Sequence, residues 1–220
     1  MAQFDVLKYI RQMSNNNNVN VIKGLVNSSG GGGNELEDGL ITRTLSQYRN
    51  DKVTSIGSYA FNSYSSLISI DFPNVTDIGS FAFQYCYNLT DINFPNAINI
   101  GAYAFSFCTN LTNLNLPNVT DIERHAFYQC SNLTNISFPN VTYISSSAFY
   151  GCKSLMSIYL LSSSIPTLFH INAFYTTPMS SSTYTGSFGS IYVPASLVDS
   201  YKTTTNWSKY ANRITAYEGE

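Results

Sequence analysis

Amide and carboxylate side chains recur in this chain at intervals of 22 residues: Asp91, Asn113 and Asn135 form one column, continued by Ser69 and Ser157. Asn93 and Asn115 form a second column, between Asp71 and Ser137, with Tyr159 after it. Thr90, Thr112 and Thr134 make a third, flanked by Ile68 and Met156. Pointed outward from stacked strands, these groups would present a concave lattice of donors and acceptors suited to a glycan or an extended polypeptide. A solvated sheet whose side chains ladder together would look the same. An aromatic array follows the same period: Tyr59, Phe81 and Tyr103, then His125, with Tyr64, Tyr85, Phe107, Tyr128 and Tyr150 beside it. An exposed aromatic stripe is a common binding or assembly surface, while rings packed between successive segments would be structural. Tyr59, Phe81, Tyr103 and Phe107 are therefore candidates for partner contact.

Catalysis finds little to work with. The two histidines, His125 and His170, sit in no metal-ligand spacing and beside no nucleophile signature, and His125 occupies the Tyr/Phe column. Asp77 and Asp121 share a column that could have held calcium, but Asn99 and Tyr143 interrupt it. Gly30 to Gly33 lacks the following Lys-Ser/Thr of a phosphate-binding loop. Cys86, Cys108, Cys130 and Cys152 stand one per period. Ligands in a straight column cannot close a tetrahedron around zinc, so the reading is a stack of buried free thiols acting as small apolar plugs. The expectation is a protein that is not an enzyme, with no cofactor and no metal. The Asn-x-Ser/Thr sequons are mostly copies imposed by the repeat and are not independent evidence of glycosylation.

The elements that would position these groups follow from the period itself. Ala-Phe pairs stand at Ala60-Phe61, Ala82-Phe83, Ala104-Phe105, Ala126-Phe127 and Ala148-Phe149. Leucines stand at Leu67, Leu89, Leu111, Leu133 and Leu155, and prolines at Pro73, Pro95, Pro117 and Pro139. A fixed period in the twenties with an L-x-x-I-x-F skeleton predicts a solenoid. Each coil needs a short strand such as Leu89–Phe94, with Ile92 and Phe94 inward and Asp91 and Asn93 outward. Pro95 ends that strand, because proline cannot donate to a ladder. A second segment, Asn96–Gly101, turns Ala97 and Ile100 inward, with glycine permitting the bend; Glu123 and Ser145 replace it later, so positive φ is not obligatory there. The third, Ala104–Cys108, is expected to form about one helical turn.

Taken together, Val75-Thr76-Asp77-Ile78-Gly79, Ala82-Phe83, Cys86, Leu89, Ile92 and Phe94-Pro95 resemble the signature of BspA-like leucine-rich repeats. Ile191-Tyr192-Val193-Pro194-Ala195-Ser196, Tyr201-Lys202 and Asn206-Trp207 are similar to that family's closing segment. The resemblance runs from Lys52 to about Ala216. It implies a right-handed leucine-rich-repeat solenoid with strands on one face and short helical turns. It also implies an extracellular or cell-surface protein that adheres to proteins or carbohydrates of a host or neighbouring cell.

The chain divides into an N-terminal helix and Gly-rich linker (1–34), a half-repeat cap (35–57), regular repeats (58–160), and an irregular last repeat with C-terminal cap (161–220). Phe4–Met13 has a wide apolar face and would be a marginal helix alone, so it needs a partner. Assembly of a homo-oligomer through residues 1–33 is one expectation, and a disordered terminus the other. Trp207 and Ile214 are expected to plug the last open face. With 11% charged residues and a net charge of −2, no global field draws the chain to nucleic acid. No apolar run approaches the ~20 residues of a membrane span. Met1–Met13 lacks the basic and apolar regions of a secretory leader, which leaves virion-associated and cytoplasmic placements open beside the surface. The functional expectation is a binding or adhesion module; the alternative is a phage or prophage structural or receptor-binding protein.

Overall fold

The structure, a computed structural model, describes residues 47–49, 51–180 and 188–219. The expected leader helix, its glycine linker and the assembly segment at 1–33 lie outside the described residues. Fourteen short strands follow one another: β1 (Gln47–Arg49), β2 (Ser55–Ile56), β3 (Ser69–Asp71), β4 (Asp77–Ile78), β5 (Asp91–Asn93), β6 (Asn99–Ile100), β7 (Asn113–Asn115), β8 (Asp121–Ile122), β9 (Asn135–Ser137), β10 (Tyr143–Ile144), β11 (Ser157–Tyr159), β12 (Thr167–Leu168), β13 (Ser190–Pro194) and β14 (Ile214–Tyr217). All pairings are parallel and none shifts register: Ser69 faces Asp91, Asp91 faces Asn113, and Asp77 faces Asn99. The chain is a parallel solenoid. The longer strands form side A and the two-residue strands form side B.

The third side, C, is where the structure departs from the expected helical turn. Tyr103 and Phe107 have φ of 58° and 61°, in the left-handed region. Their N–H groups, and that of Phe105 between them, donate to the carbonyls of Arg124, Tyr128 and Ala126 in the next coil. The intervening Ala104, Ser106 and Cys108 donate back three residues within their own coil. A helix would keep every N–H inside the coil. Alternating conformations instead send every second one along the axis, so side C is a ladder like the other two. Glycine has a related role on side B: a Cβ at Gly101 would lie 2.7 Å from the Ile78 carbonyl oxygen and the Ser80 nitrogen. Close approach of neighbouring coils, rather than an unusual φ, keeps that position small.

Identical coils put identical side chains in contact. Phe61, Phe83, Phe105, Phe127, Phe149 and Phe174 form a continuous stack with centroids 5.1–5.4 Å apart and planes within 9°. The cysteine column is equally regular: Cys86, Cys108, Cys130 and Cys152 each donate a thiol hydrogen bond, 3.1 Å long, to a Phe carbonyl of the preceding coil. They are free and buried, as expected, but they are donors as well as plugs. Burial pushes the Cys152 thiol up to about 12 and raises Cys108 and Cys130 well above the ordinary value.

The stack ends in a cap formed by the helix α1 (Val198–Thr203) and a 3-10 segment (Trp207–Arg213). Trp207 and Tyr210 lie against Phe174, the last ring of the column. The Trp207 indole donates to the Pro166 carbonyl (2.8 Å), and the Asn206 amide to the Leu168 carbonyl (2.7 Å). These donors satisfy the exposed edge of β12, and Ile214 is buried in β14.

One side of the solenoid is interrupted. Side B is a single ladder from β2 to β12, but side A splits into β1-β3-β5-β7 and β9-β11-β13-β14. The split falls beside the coil whose inward strand residues are Leu114 and Leu116, where the neighbouring coils carry Ile92 and Phe94, and Ile136 and Phe138. Leu114 is only partly buried, whereas Ile92 and Ile136 are each 3% exposed. Leucine is less suited to a strand than isoleucine, and Leu116 leaves out a ring that its counterparts press against the Phe stack.

Two results are expected. The double variant Leu114→Ile/Leu116→Phe should close the ladder, raising stability by about 1–2 kcal/mol. Hydrogen exchange should then protect residues 113–116 to the level of 91–94. In the unaltered protein, maleimide at about pH 8 should label no cysteine until denaturant opens the coils.

Candidate functional site

Side A carries the polar columns, and its side chains are joined to one another. The Asn93 amide donates to Asp71 Oδ1 (2.6 Å) and the Asn115 amide to Asn93 Oδ1. In the next column the Asn113 amide donates to Asp91 Oδ1, while the Thr90 hydroxyl donates to Asp91 Oδ2. Arg49 closes the far end with an ion pair to Asp71. Asn135 stands across the break, and its amide turns to the Thr134 hydroxyl (3.4 Å) instead. Asn93 uses one N–H and its oxygen in the ladder, while Asn113 and Asn115 each donate one N–H, so a second N–H and acceptor lone pairs remain for the outside. The lattice is thus both structural and presented.

The aromatic candidates stand on side C. Tyr59, Phe81, Tyr103 and His125 stack face to face, with centroids 4.5–4.9 Å apart and planes within 6°. Tyr85 stacks on Phe107, which meets Tyr128 edge-on, and Tyr128 stacks on Tyr150. His125 also contacts Tyr128, so the two rows join there. Tyr64 is not part of the stripe: it occupies the cysteine column and is 4% exposed, packed edge-on against Phe61. Tyr59, Phe81, Tyr103 and Phe107 all have φ between 58° and 62°. A left-handed backbone costs a bulky residue about 1–2 kcal/mol. The axial N–H bond and ring stacking, at about 0.5–1.5 kcal/mol per pair, offset that cost. Stacking also occupies ring faces, so the interior of the column offers a partner only its edges. His125 is held below its ordinary pKa by burial and then by Arg124, both of which favour the neutral imidazole. His170 is bound to Asn172 within its own turn (2.7 Å).

A third feature lies at the corner of sides B and C, and no single column reveals it. A groove of about 950 Å³ runs over the main chain of Gly57, Gly79 and Gly101. Asp77, Asn99 and Asp121 form one bank, Tyr59 stands at its head, and Glu123 lies where the glycine column ends. In the sequence Asp77 and Asp121 form only an interrupted acidic column. Their place beside a glycine floor depends on how tightly the chain turns between β-strand and turn. The Asn99 amide (2.9 Å) and the Thr76 hydroxyl (2.7 Å) hold the Asp77 carboxyl below its ordinary value.

A folded pKa below the unfolded one adds stability above the unfolded value and loses it as pH falls through the folded value. Asp77 should therefore contribute to the acid limb of unfolding, below the ordinary aspartate value of 3.8. Replacing Asn99 by Ala removes the largest cause. NMR titration should then show the Asp77 carboxyl moving upward, and the acid transition should begin at higher pH.

The sequence profile of the BspA-type leucine-rich-repeat region matches in six copies, over residues 44–156 and 76–195. Among solved structures, a leucine-rich repeat protein from Bacteroides ovatus aligns with a TM-score of 0.60 at 21% identity, covering 79% of this chain and 43% of that one. The pneumococcal vaccine antigen PcpA aligns with a TM-score of 0.57 at 19% identity, covering 80% and 42%. A leucine-rich cell surface protein from Faecalibacterium prausnitzii is 27% identical with a TM-score of 0.46, covering 74% and 43%. The chain spans less than half the length of each of these proteins. No curated protein matches it.

Proposed function

Because the chain belongs to the BspA-type leucine-rich-repeat family, we propose that it is a non-enzymatic recognition module that binds a protein or carbohydrate of a host or neighbouring cell. Membership of this family supports a setting outside the cell or at its surface. The observation that supports the reading is the side A lattice. Asp91, Asn93, Asn113 and Asn115 are held by their own ladder, so little side-chain freedom remains to be lost on binding. Their remaining donors and acceptors repeat at about one strand spacing, ~4.8 Å, over an extended face. That repetition suits a polymer with its own regular repeat. Asn135 adds a further amide beyond the break. On side C, Tyr59, Phe81, Tyr103 and Phe107 contribute ring edges and hydroxyls, since stacking takes the faces between them.

The full chain should give saturable binding on an array of glycans and immobilised extracellular-matrix proteins. Asn93→Ala, Asn113→Ala and Asn115→Ala together should weaken it about tenfold or more, because several aligned contacts are lost at once. Silence across both sets of probes would remove the reading. Binding untouched by the triple variant would move the site off side A.

A further inference from the structure

We propose that the groove at the corner of sides B and C is a second binding site, taking an extended, proline-rich polypeptide with basic side chains along the solenoid axis. Its bank is acidic. Asp77, Asn99 and Asp121 occupy equivalent positions of β4, β6 and β8, with Asp77 facing Asn99 and Asn99 facing Asp121. Glu123 adds a carboxylate at the end. Among the described residues the ion pairs are those of Arg49 with Asp51 and Asp71, so none of the groove carboxylates is matched by a cation. Asp77 additionally accepts hydrogen bonds from the Asn99 amide and the Thr76 hydroxyl, neutral donors that stabilise its charge without cancelling it.

The head of the groove points to the same ligand chemistry by a separate route. Tyr59 is the first ring of its column: one face lies on Phe81, and the residue is 48% exposed. Every later ring from Phe81 to Tyr103 has a neighbour on both faces. Among the described residues no ring covers the second face of Tyr59, and that face stands beside the carboxylates, where a guanidinium or ammonium group gains from both the ring and the charges. A sugar would need such faces repeated along the groove, and stacking has removed them.

Spacing selects the backbone of the ligand. Asp77 and Asp121 are two coils apart, about 10 Å at ~4.8 Å per parallel strand. In a β-strand, side chains three residues apart point to opposite faces. A polyproline-II segment has three residues per turn and a rise of ~3.1 Å, so every third side chain projects the same way at about 9 Å intervals. Basic residues at every third position would meet Asp77 and Asp121 in turn. Asn99, between them, offers an amide to the solvated carbonyls of such a segment.

The test is calorimetric titration of the full chain with an end-capped Arg-Pro-Pro repeat peptide and its Gln-Pro-Pro counterpart. The arginine peptide should bind and weaken with added salt, and the glutamine peptide should not bind. The variant Asp121→Asn/Glu123→Gln keeps the shape of a half-buried and an exposed side chain, and an asparagine oxygen can still accept from the Thr120 hydroxyl, so it should keep its melting temperature and lose about tenfold in affinity. Tyr59→Leu should weaken binding several-fold. No saturable binding of the arginine peptide, equal binding of both peptides, or an unaffected charge variant would overturn the proposal. So would tighter binding of a glucosamine oligomer, which would make the ligand a carbohydrate. The Asn93→Ala/Asn113→Ala/Asn115→Ala variant should bind the peptide unchanged, so failure here leaves the side A reading standing, and the reverse holds too.

Discussion

The coils of this protein hand backbone hydrogen bonds to one another on three sides, broken only on side A between β7 and β9 among the described residues, and that requirement governs the rest. A coil this short has no interior of its own. It cannot bury a core or satisfy its main chain alone, so its N–H groups have to point along the axis. On sides A and B ordinary parallel strands do this. On side C the chain turns too sharply for a strand, and residues such as Tyr103 and Phe107 adopt left-handed conformations to aim their N–H groups at the next coil. The axial ladder is thus kept at the expense of local backbone comfort, and that is the reverse of the usual helix logic.

Translation along the axis then explains the side chains. A residue type that stacks well on itself is favoured at each position, since its neighbour above and below is the same. Phenylalanine meets phenylalanine in near-parallel planes, and cysteine offers a thiol to the carbonyl one coil back. Asparagine donates to the oxygen of the asparagine or aspartate below it. Departures are informative for the same reason. The Leu114/Leu116 coil is where side A separates, and Glu123 is where the glycine floor ends. The cap must break the pattern altogether, and it does so with Trp207, Asn206 and Tyr210, whose polar groups meet carbonyls left over by the last coil.

The same translation makes function harder to separate from structure. A ladder of amides stabilises adjacent coils whether or not a ligand ever arrives. What distinguishes the faces is the bonding capacity left over. Side A keeps free donors and acceptors in a fixed array. In the aromatic column Phe81 and Tyr103 have spent both faces internally, and Tyr59 at one end has a face that no other described ring covers. The corner groove combines that terminal ring with carboxylates that no described cation neutralises.

Much of this was legible in the residues themselves. The spacing of Ala-Phe, Cys, Leu, Ile and Phe-Pro determined the period, the inward columns, the free thiols and the plugging role of Trp207, because burial of a repeated pattern allows one solution. Side C reads as a helical turn in the sequence, since Ala104-Phe105-Ser106-Phe107-Cys108 has no glycine to advertise left-handed backbone, and only the demand of the neighbouring coil imposes it. The availability of Tyr103 or Phe107 was equally hidden: a column of rings reads the same whether its members stand apart or lie face to face. Tertiary structure alone decided those faces, the split beside Leu114, and the meeting of Asp77, Asp121 and Tyr59 along one groove. Each of these depends on the angle at which sides meet and the distance between coils, and one-dimensional spacing encodes which residues share a column but not how closely two columns approach.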